Sequence, residues 1–154
     1  MAGGAGVEWY FGYKHAHSDL TCQDFRVRQK MWEQCRTALE FFADHKIPFW
    51  EMSNANQLLE TKNGYCLAQP RHLYLVYLKR GKPTTLDLSR ADGQFEVRWF
   101  NPREGGDLQS GSTEAVSAGP KVALGSPPCI ASDQTDVSDQ DWLSIVRANG
   151  SSGK

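Results

Sequence analysis

The sequence predicts a mainly β protein, in which a C-terminal antiparallel β-sandwich follows a single β/α unit. Two observations support this fold class. Between residues 64 and 147, short runs rich in β-branched and aromatic residues are separated by Gly, Pro, Asn and Asp. Before residue 52, one aromatic strand pattern is followed by one long helical pattern. The chain therefore divides near residue 52 into two parts with different predicted architectures.

The first element, Gly6–Tyr13, predicts a strand because it is rich in aromatic and β-branched residues. Alternation places three apolar side chains on one face, whereas the other face carries Glu8 and Tyr10. Both faces therefore need cover, as they do for a strand inside an α/β sheet.

The second element, residues 22–45, is the strongest helical pattern in the chain. Thr21 and Asp24 have the spacing of a capping box, and Pro48 ends the helix. An isolated β/α unit cannot pair its strand edges, so we expect this unit to be part of something larger. The apolar side chains that form one stripe along the helix, expected to be its buried face, are Phe25, Trp32, Cys35, Leu39 and Phe42.

The third part predicts about seven short strands with turn signals between them, which is typical of a β-sandwich. A long polar loop, residues 132–140, precedes the last strand. The candidate strands are residues 64–68, 73–79, 84–88, 95–100, about 112–116, 121–124 and 142–146.

Composition excludes several classes of function. The chain has 17 Lys plus Arg and 18 Asp plus Glu, a net charge of −1, which argues against a nucleic-acid or membrane-surface partner. No apolar run approaches the roughly 20 residues that span a bilayer, and the start of the sequence lacks the pattern of a secretory signal. The four cysteines are too far apart for a zinc ribbon, and we expect buried, inert thiols, although Cys66 and Cys129 could pair in an oxidising compartment. No phosphate loop or metal motif is present, so the sequence implies no cofactor.

The N-terminal strings AGGAGVEWYFGY, DLTCQDFRVRQKMW, ALEFF and IPFWEM resemble the end of the catalytic barrel in bacterial glycoside-hydrolase-like, apiosidase-like proteins. The later strings YCLA, LYLVYL, LDLS, FEVRWFNPREGG, LGSPP and DWLSIV resemble the C-terminal module of that family, which is labelled a "putative collagen-binding domain of a collagenase". The resemblance covers nearly the whole chain and keeps its order.

This resemblance implies that residues 1–52 are the last strand and helix of a (β/α)8 barrel and that residues 53–148 are the collagen-binding-like sandwich. Residues 149–154 are expected to be a frayed tail. Such a barrel needs roughly 250 residues, and the catalytic carboxylates of related hydrolases lie on its earlier strands. The chain is therefore not expected to hydrolyse glycosides alone, and the parent protein is expected to be exported.

Within a barrel, five residues would surround the substrate at the C-terminal end of the last strand: Glu8, Tyr10, Tyr13, His15 and His17. The alternatives are a structural carboxylate paired with a cation and a solvated loop. The two histidines have no third ligand at useful spacing, which argues against a metal site.

In the sandwich, the candidate binding face contains Arg98, Trp99 and Arg103, and Tyr77 with Tyr74 forms a second aromatic platform. The alternative is that residues 95–100 pack on the barrel with one face and on the sandwich core with the other. Trp9 and Trp50 are expected to be core residues.

Three functions remain open. The chain could be a non-catalytic module that binds collagen or a polysaccharide, a purely structural sandwich that stabilises the parent's barrel, or the tail of an active glycosidase. An exposed aromatic patch would favour the first. Burial of Trp99 and Tyr77 against the barrel would favour the second.

Overall fold

The computed structural model describes residue 26, residues 29–128 and residues 140–150. The predicted strand at residues 6–13 lies outside the described residues. The part of the predicted helix that precedes Gln29 also lies outside them, apart from residue 26. Two short 3-10 turns, Phe49–Glu51 and Asn56–Leu58, follow the helix. Within the described residues the regular elements are α1 (Gln29–Asp44), β1 (Ser53–Asn54), β2 (Gly64–Gln69), β3 (Leu73–Leu78), β4 (Thr85–Leu86), β5 (Gln94–Phe100), β6 (Ala115–Ser117), β7 (Val122–Ala123) and β8 (Trp142–Ala148).

The strands form two antiparallel sheets, which confirms the mainly β fold class. The larger sheet has the order β1-β2-β3-β8-β5-β6, and the smaller one pairs β4 with β7. Strand β8, the last in the chain, lies at the centre of the larger sheet between β3 and β5. The seven strands expected from the sequence are present, and β1 is an addition that is too short to show alternation.

The inner face of the larger sheet packs against the smaller sheet and forms the main core. Alternation along β5 places Phe95, Val97 and Trp99 in this core, each with 0% exposure. Leu86 on β4 and Leu124, directly after β7, cover them from the opposite side.

The outer face of the larger sheet packs against the C-terminal end of α1, which makes a second core. The Phe41 ring lies 4.6 Å from the Phe100 ring, centroid to centroid. Arg147 on β8 donates from Nη2 to the carbonyl oxygen of His45 at 2.8 Å. Strand β5 is therefore covered on its inner face along its length and on its outer face at Phe100, while Glu96 and Arg98 on the outer face are half-exposed. The other buried members of this core are Ile47, Met52, Leu67, Leu73, Leu75 and Ile145.

Among the described members of the stripe that the sequence predicts, Phe42 packs against the second core but none is fully buried. Trp32 and Leu39 are 46% and 68% exposed, whereas Phe41, outside the stripe, is buried. Periodicity identifies an apolar side of a helix but not the element that covers it, and here the sheet contacts the neighbouring side. Of the described residues, no helix is long and apolar enough to cross a membrane.

Candidate functional site

Two tyrosines lie side by side at one end of the larger sheet. The β2–β3 hairpin pairs Tyr65 with Tyr77, and β3 pairs Tyr77 with Leu143. Alternation places Tyr65, Tyr77 and Leu143 on the outer face of the sheet, beyond the area that α1 covers. Tyr65 is 40% exposed, and Tyr77 is half-buried. The pair therefore presents aromatic surface at the edge of the second core.

A hydrogen-bonded network fixes the hydroxyl of Tyr77. Its Oη donates to Oδ2 of Asp141 at 2.7 Å, and Nη1 of Arg103 donates to Oδ1 of the same carboxylate at 2.9 Å. Arg103 also donates to the carbonyl oxygen of Asp141 and, from Nη2, to Oε1 of Gln140 at 2.9 Å. The side chains of Arg103 and Asp141 are 29% and 27% exposed. Charge-assisted bonds of this kind hold their donors in a defined geometry.

The turn after β5 positions the Arg103 guanidinium. The buried Asn101 accepts from the backbone N–H of Arg103 through Oδ1 at 3.1 Å, and its carbonyl oxygen accepts from the N–H of Gly105 at 2.9 Å. Gly105 has φ of +75°, a conformation that glycine adopts without strain. The turn directs Arg103 back over the sheet, where its Cζ lies 5.2 Å from the centroid of the Trp142 ring.

Electrostatics keep the Tyr77 hydroxyl protonated. Burial, the hydrogen bond to Asp141 and the charge of that carboxylate together raise the pKa of Tyr77 to about 12, while Arg103 acts in the opposite direction. Tyr77 is therefore a neutral donor at physiological pH. Beside it, Nζ of Lys79 lies 4.9 Å from the centroid of the Tyr65 ring. We call the group of Tyr65, Tyr77, Arg103 and Asp141 the tyrosine surface.

Two of the four candidate binding-face residues meet in this surface, since Tyr77 and Arg103 share Asp141. The other two do not. Trp99 is fully buried in the main core, so it is wrong as an exposed binding residue: alternation turns it toward the smaller sheet. Arg98 contacts carboxylates of its own part of the sheet, with Nε 2.8 Å from Oε1 of Glu96.

Two other aromatic side chains differ from the sequence-based expectations. Tyr74 is 4% exposed, and its hydroxyl accepts from the N–H of Arg71, so it is a core residue and not a platform. Trp50 is 72% exposed and was expected to be core. It lies in a 3-10 turn, where no strand or helix periodicity constrains its side chain.

Sequence reasoning missed Tyr65 and Asp141. A signal for Tyr65 existed, because a short turn at residues 70–72 aligns positions 65 and 77 across the hairpin. Asp141 had no such signal, because its contact with Tyr77 depends on the pairing of β3 with a strand 64 residues away.

The substrate-surrounding candidates Glu8, Tyr10, Tyr13, His15 and His17 lie outside the described residues, as does Cys129. Cys66 is a buried thiol, and burial raises its pKa to about 12. Within residues 29–128 and 140–150, no group of three or more His, Cys, Asp and Glu side chains could hold a metal ion.

The family model described as "Putative collagen-binding domain of a collagenase" matches residues 52–147. The chain belongs to this family. The matched segment begins at Met52 and ends at Arg147, so it contains the described strands of both sheets, except for the last residue of β8, and the whole tyrosine surface. No curated protein sequence matches the chain significantly.

Solved structures of glycoside hydrolases share the fold. A glycoside hydrolase family 5 protein from Bacteroides vulgatus ATCC 8482 superposes with a TM-score of 0.55 at 18% identity, covering 76% of this chain and 24% of its own. A second structure, described as a glycoside hydrolase, has a TM-score of 0.56 at 18% identity, covering 75% of this chain and 25% of its own. The chain thus spans about a quarter of the length of these structures. At this identity the likeness concerns the fold alone.

Proposed function

We propose that this chain is a non-catalytic C-terminal module of a glycoside-hydrolase-like protein, and that it binds a polymer, either collagen or a polysaccharide. The family description and the glycoside hydrolase neighbours support this proposal. Residues 1–52 would then be the last strand and helix of the parent's barrel, and the parent would act outside the cell.

One observation carries the proposal: the tyrosine surface combines an exposed aromatic ring with fixed polar groups. Tyr65 offers ring area for stacking. Tyr77 and Arg103 are held by Asp141, so ordering them on binding costs little conformational entropy. Pre-positioned polar groups beside an aromatic ring are the usual composition of a binding site for sugars or peptides.

The test is affinity electrophoresis of the full chain in native gels that contain type I collagen, neutral glucans or charged polysaccharides. Tyr65→Ala removes the exposed ring, and Trp50→Ala is the matched control, since it removes a more exposed aromatic side chain from the α1 side. We expect at least one polymer to retard the wild type and the Trp50 variant but not the Tyr65 variant. If only the Trp50 variant lost its retardation, the polymer would bind on the α1 side and not at the tyrosine surface.

A second candidate function is structural: the module stabilises the barrel of its parent and binds no polymer. The observation that favours it is an exposed apolar area on the outer side of α1 and the following turn, where Leu39, Phe49 and Trp50 are 68%, 50% and 72% exposed. If this area serves only to pack against a barrel, no polymer of the panel will retard the chain. The isolated chain will then self-associate in size-exclusion chromatography, and Leu39→Glu will reduce that association.

A further inference from the structure

Basic residues lie in two loops beside the tyrosine surface. The loop before β2 and the loop after β3 meet at this end of the sheet, because the N–H of Lys79 donates to the carbonyl oxygen of Asn63 at 3.1 Å. Four exposed cations lie in these two loops, and we call them the basic rim: Lys62, Lys79, Arg80 and Lys82. Arg103 adds a fifth positive charge on the adjoining turn.

Three carboxylates of the described residues lie at this end, and each contacts groups outside the basic rim. Asp141 accepts from Tyr77 and Arg103. Glu104 accepts from Nδ2 of Asn101 at 3.3 Å. Glu60 accepts from the Thr85 hydroxyl at 2.9 Å, and its Oε1 lies 3.7 Å from Nζ of Lys121. Among the described residues at this end, the four cations of the basic rim, Arg103 and Lys121 outnumber the three carboxylates, so this described part carries an excess of positive charge.

Lys79 belongs to the basic rim and also contacts the aromatic ring of Tyr65. Its ammonium lies 4.9 Å from the centroid of the Tyr65 ring, so a flat ligand that stacks on the exposed part of Tyr65 brings its substituents within reach of a cation. A pyranose ring that carries a carboxylate or a sulfate has this combination of an apolar face and a peripheral anion. A neutral sugar can accept hydrogen bonds from these cations but forms no ion pair with them.

We infer that the polymer bound at the tyrosine surface is an anionic polysaccharide, with its sugar rings on Tyr65 and its carboxylate or sulfate groups on the basic rim. This inference rests on the proposed function and narrows its ligand class. A nucleic acid is also a polyanion, and duplex DNA is therefore one of the ligands compared in the test.

The experiment compares charged and uncharged polymers with the same backbone by affinity electrophoresis of the full chain. Carboxymethyl cellulose is paired with hydroxyethyl cellulose, and dextran sulfate is paired with dextran, so the two pairs separate carboxylate from sulfate recognition. The variant K62A/K79A removes two charges from the basic rim. Its matched control, K30A/R36A, removes two charges from the exposed side of α1. Far-UV circular dichroism verifies that both variants are folded.

We expect retardation by one or both charged polymers and not by their neutral partners. K62A/K79A should weaken the apparent affinity by about tenfold, the effect of losing two solvent-exposed charge pairs, and the control should not. Raising the salt concentration should reduce retardation of the wild type.

Other outcomes overturn the inference in distinguishable ways. Equal, salt-independent retardation by neutral polymers, or binding to collagen alone, would refute the anionic ligand and leave the proposed binding function standing. Tighter binding to duplex DNA than to either charged glycan at the same salt concentration would also refute it. Retardation by no polymer would refute both the inference and the proposed function.

Discussion

The contact between α1 and the larger sheet can be tested by truncating Phe41 to alanine. Phe41 is 4% exposed, and its ring packs at 4.6 Å from Phe100, 5.4 Å from Phe42 and 5.3 Å from His45. Removing a buried phenylalanine side chain costs about 3–5 kcal/mol through lost burial and the cavity that remains. For a protein of this size, each kcal/mol lowers Tm by about 2–4 °C, so Phe41→Ala should lower Tm by about 6–20 °C.

The assay is thermal unfolding of the full chain followed by circular dichroism, with urea unfolding as a second measurement. Leu39→Ala is the matched control, because this residue lies two positions earlier on α1 and is 68% exposed. It should change the free energy of unfolding by no more than about 0.5 kcal/mol. Equal and small effects of the two substitutions would refute the reasoning, since they would mean that α1 does not pack on the sheet.

Three further predictions concern single groups. Because burial and a hydrogen-bonded carboxylate raise the pKa of Tyr77 to about 12, its folded pKa exceeds the ordinary value of 10. The contribution of this pKa shift to the free energy of unfolding is complete below pH 10 and is lost as the pH rises toward 12. Tyrosine ionisation can be followed by absorbance at 295 nm, and ionisation of every tyrosine near pH 10 would contradict the prediction. Burial raises the pKa of Cys66 to about 12, so iodoacetamide at pH 8 should alkylate it only after unfolding; rapid labelling of the native chain, seen by peptide mass spectrometry, would contradict its burial. Gly111→Ala should destabilise the chain by about 1–3 kcal/mol in urea unfolding, because a Cβ there would overlap Nε1 of the buried Trp99. Gly119→Ala should have little effect, because its Cβ meets only ordinary contacts, and equal effects of the two substitutions would contradict the close packing at Gly111.

The sequence predicts much of the sandwich because alternation directly reports which faces are covered. Strand β5 has bulky residues on both faces: its inner face is buried in the main core with Trp99, whereas on its outer face Phe100 is buried under α1 and Glu96 and Arg98 are half-exposed. The pattern could not tell which covering element lies on which face. For that reason the sequence leaves open whether Trp99 lies on an exposed binding face or in the core, and the structure places it fully in the core.

Contacts between distant segments could not be predicted from local patterns. The central position of β8 depends on pairing with β3 and β5 across a long stretch of chain. Asp141 at the start of β8 therefore joins Tyr77 and Arg103 in a way that no spacing indicates. Likewise, the stripe on α1 is apolar as read from the sequence, yet Leu39 in it is 68% exposed, because the sheet contacts the side that contains Phe41.

The central claim is that the tyrosine surface is where this module binds a polymer. The most direct test is a heteronuclear NMR titration of the labelled full chain with soluble fragments of carboxymethyl cellulose and, separately, of type I collagen. The account predicts that one of them shifts the amide signals of Tyr65, Tyr77, Arg103 and Asp141, while the signals of Leu39 and Trp50 stay unchanged. Shifts confined to Leu39 and Trp50, or no shifts with either ligand at millimolar concentration, would contradict it.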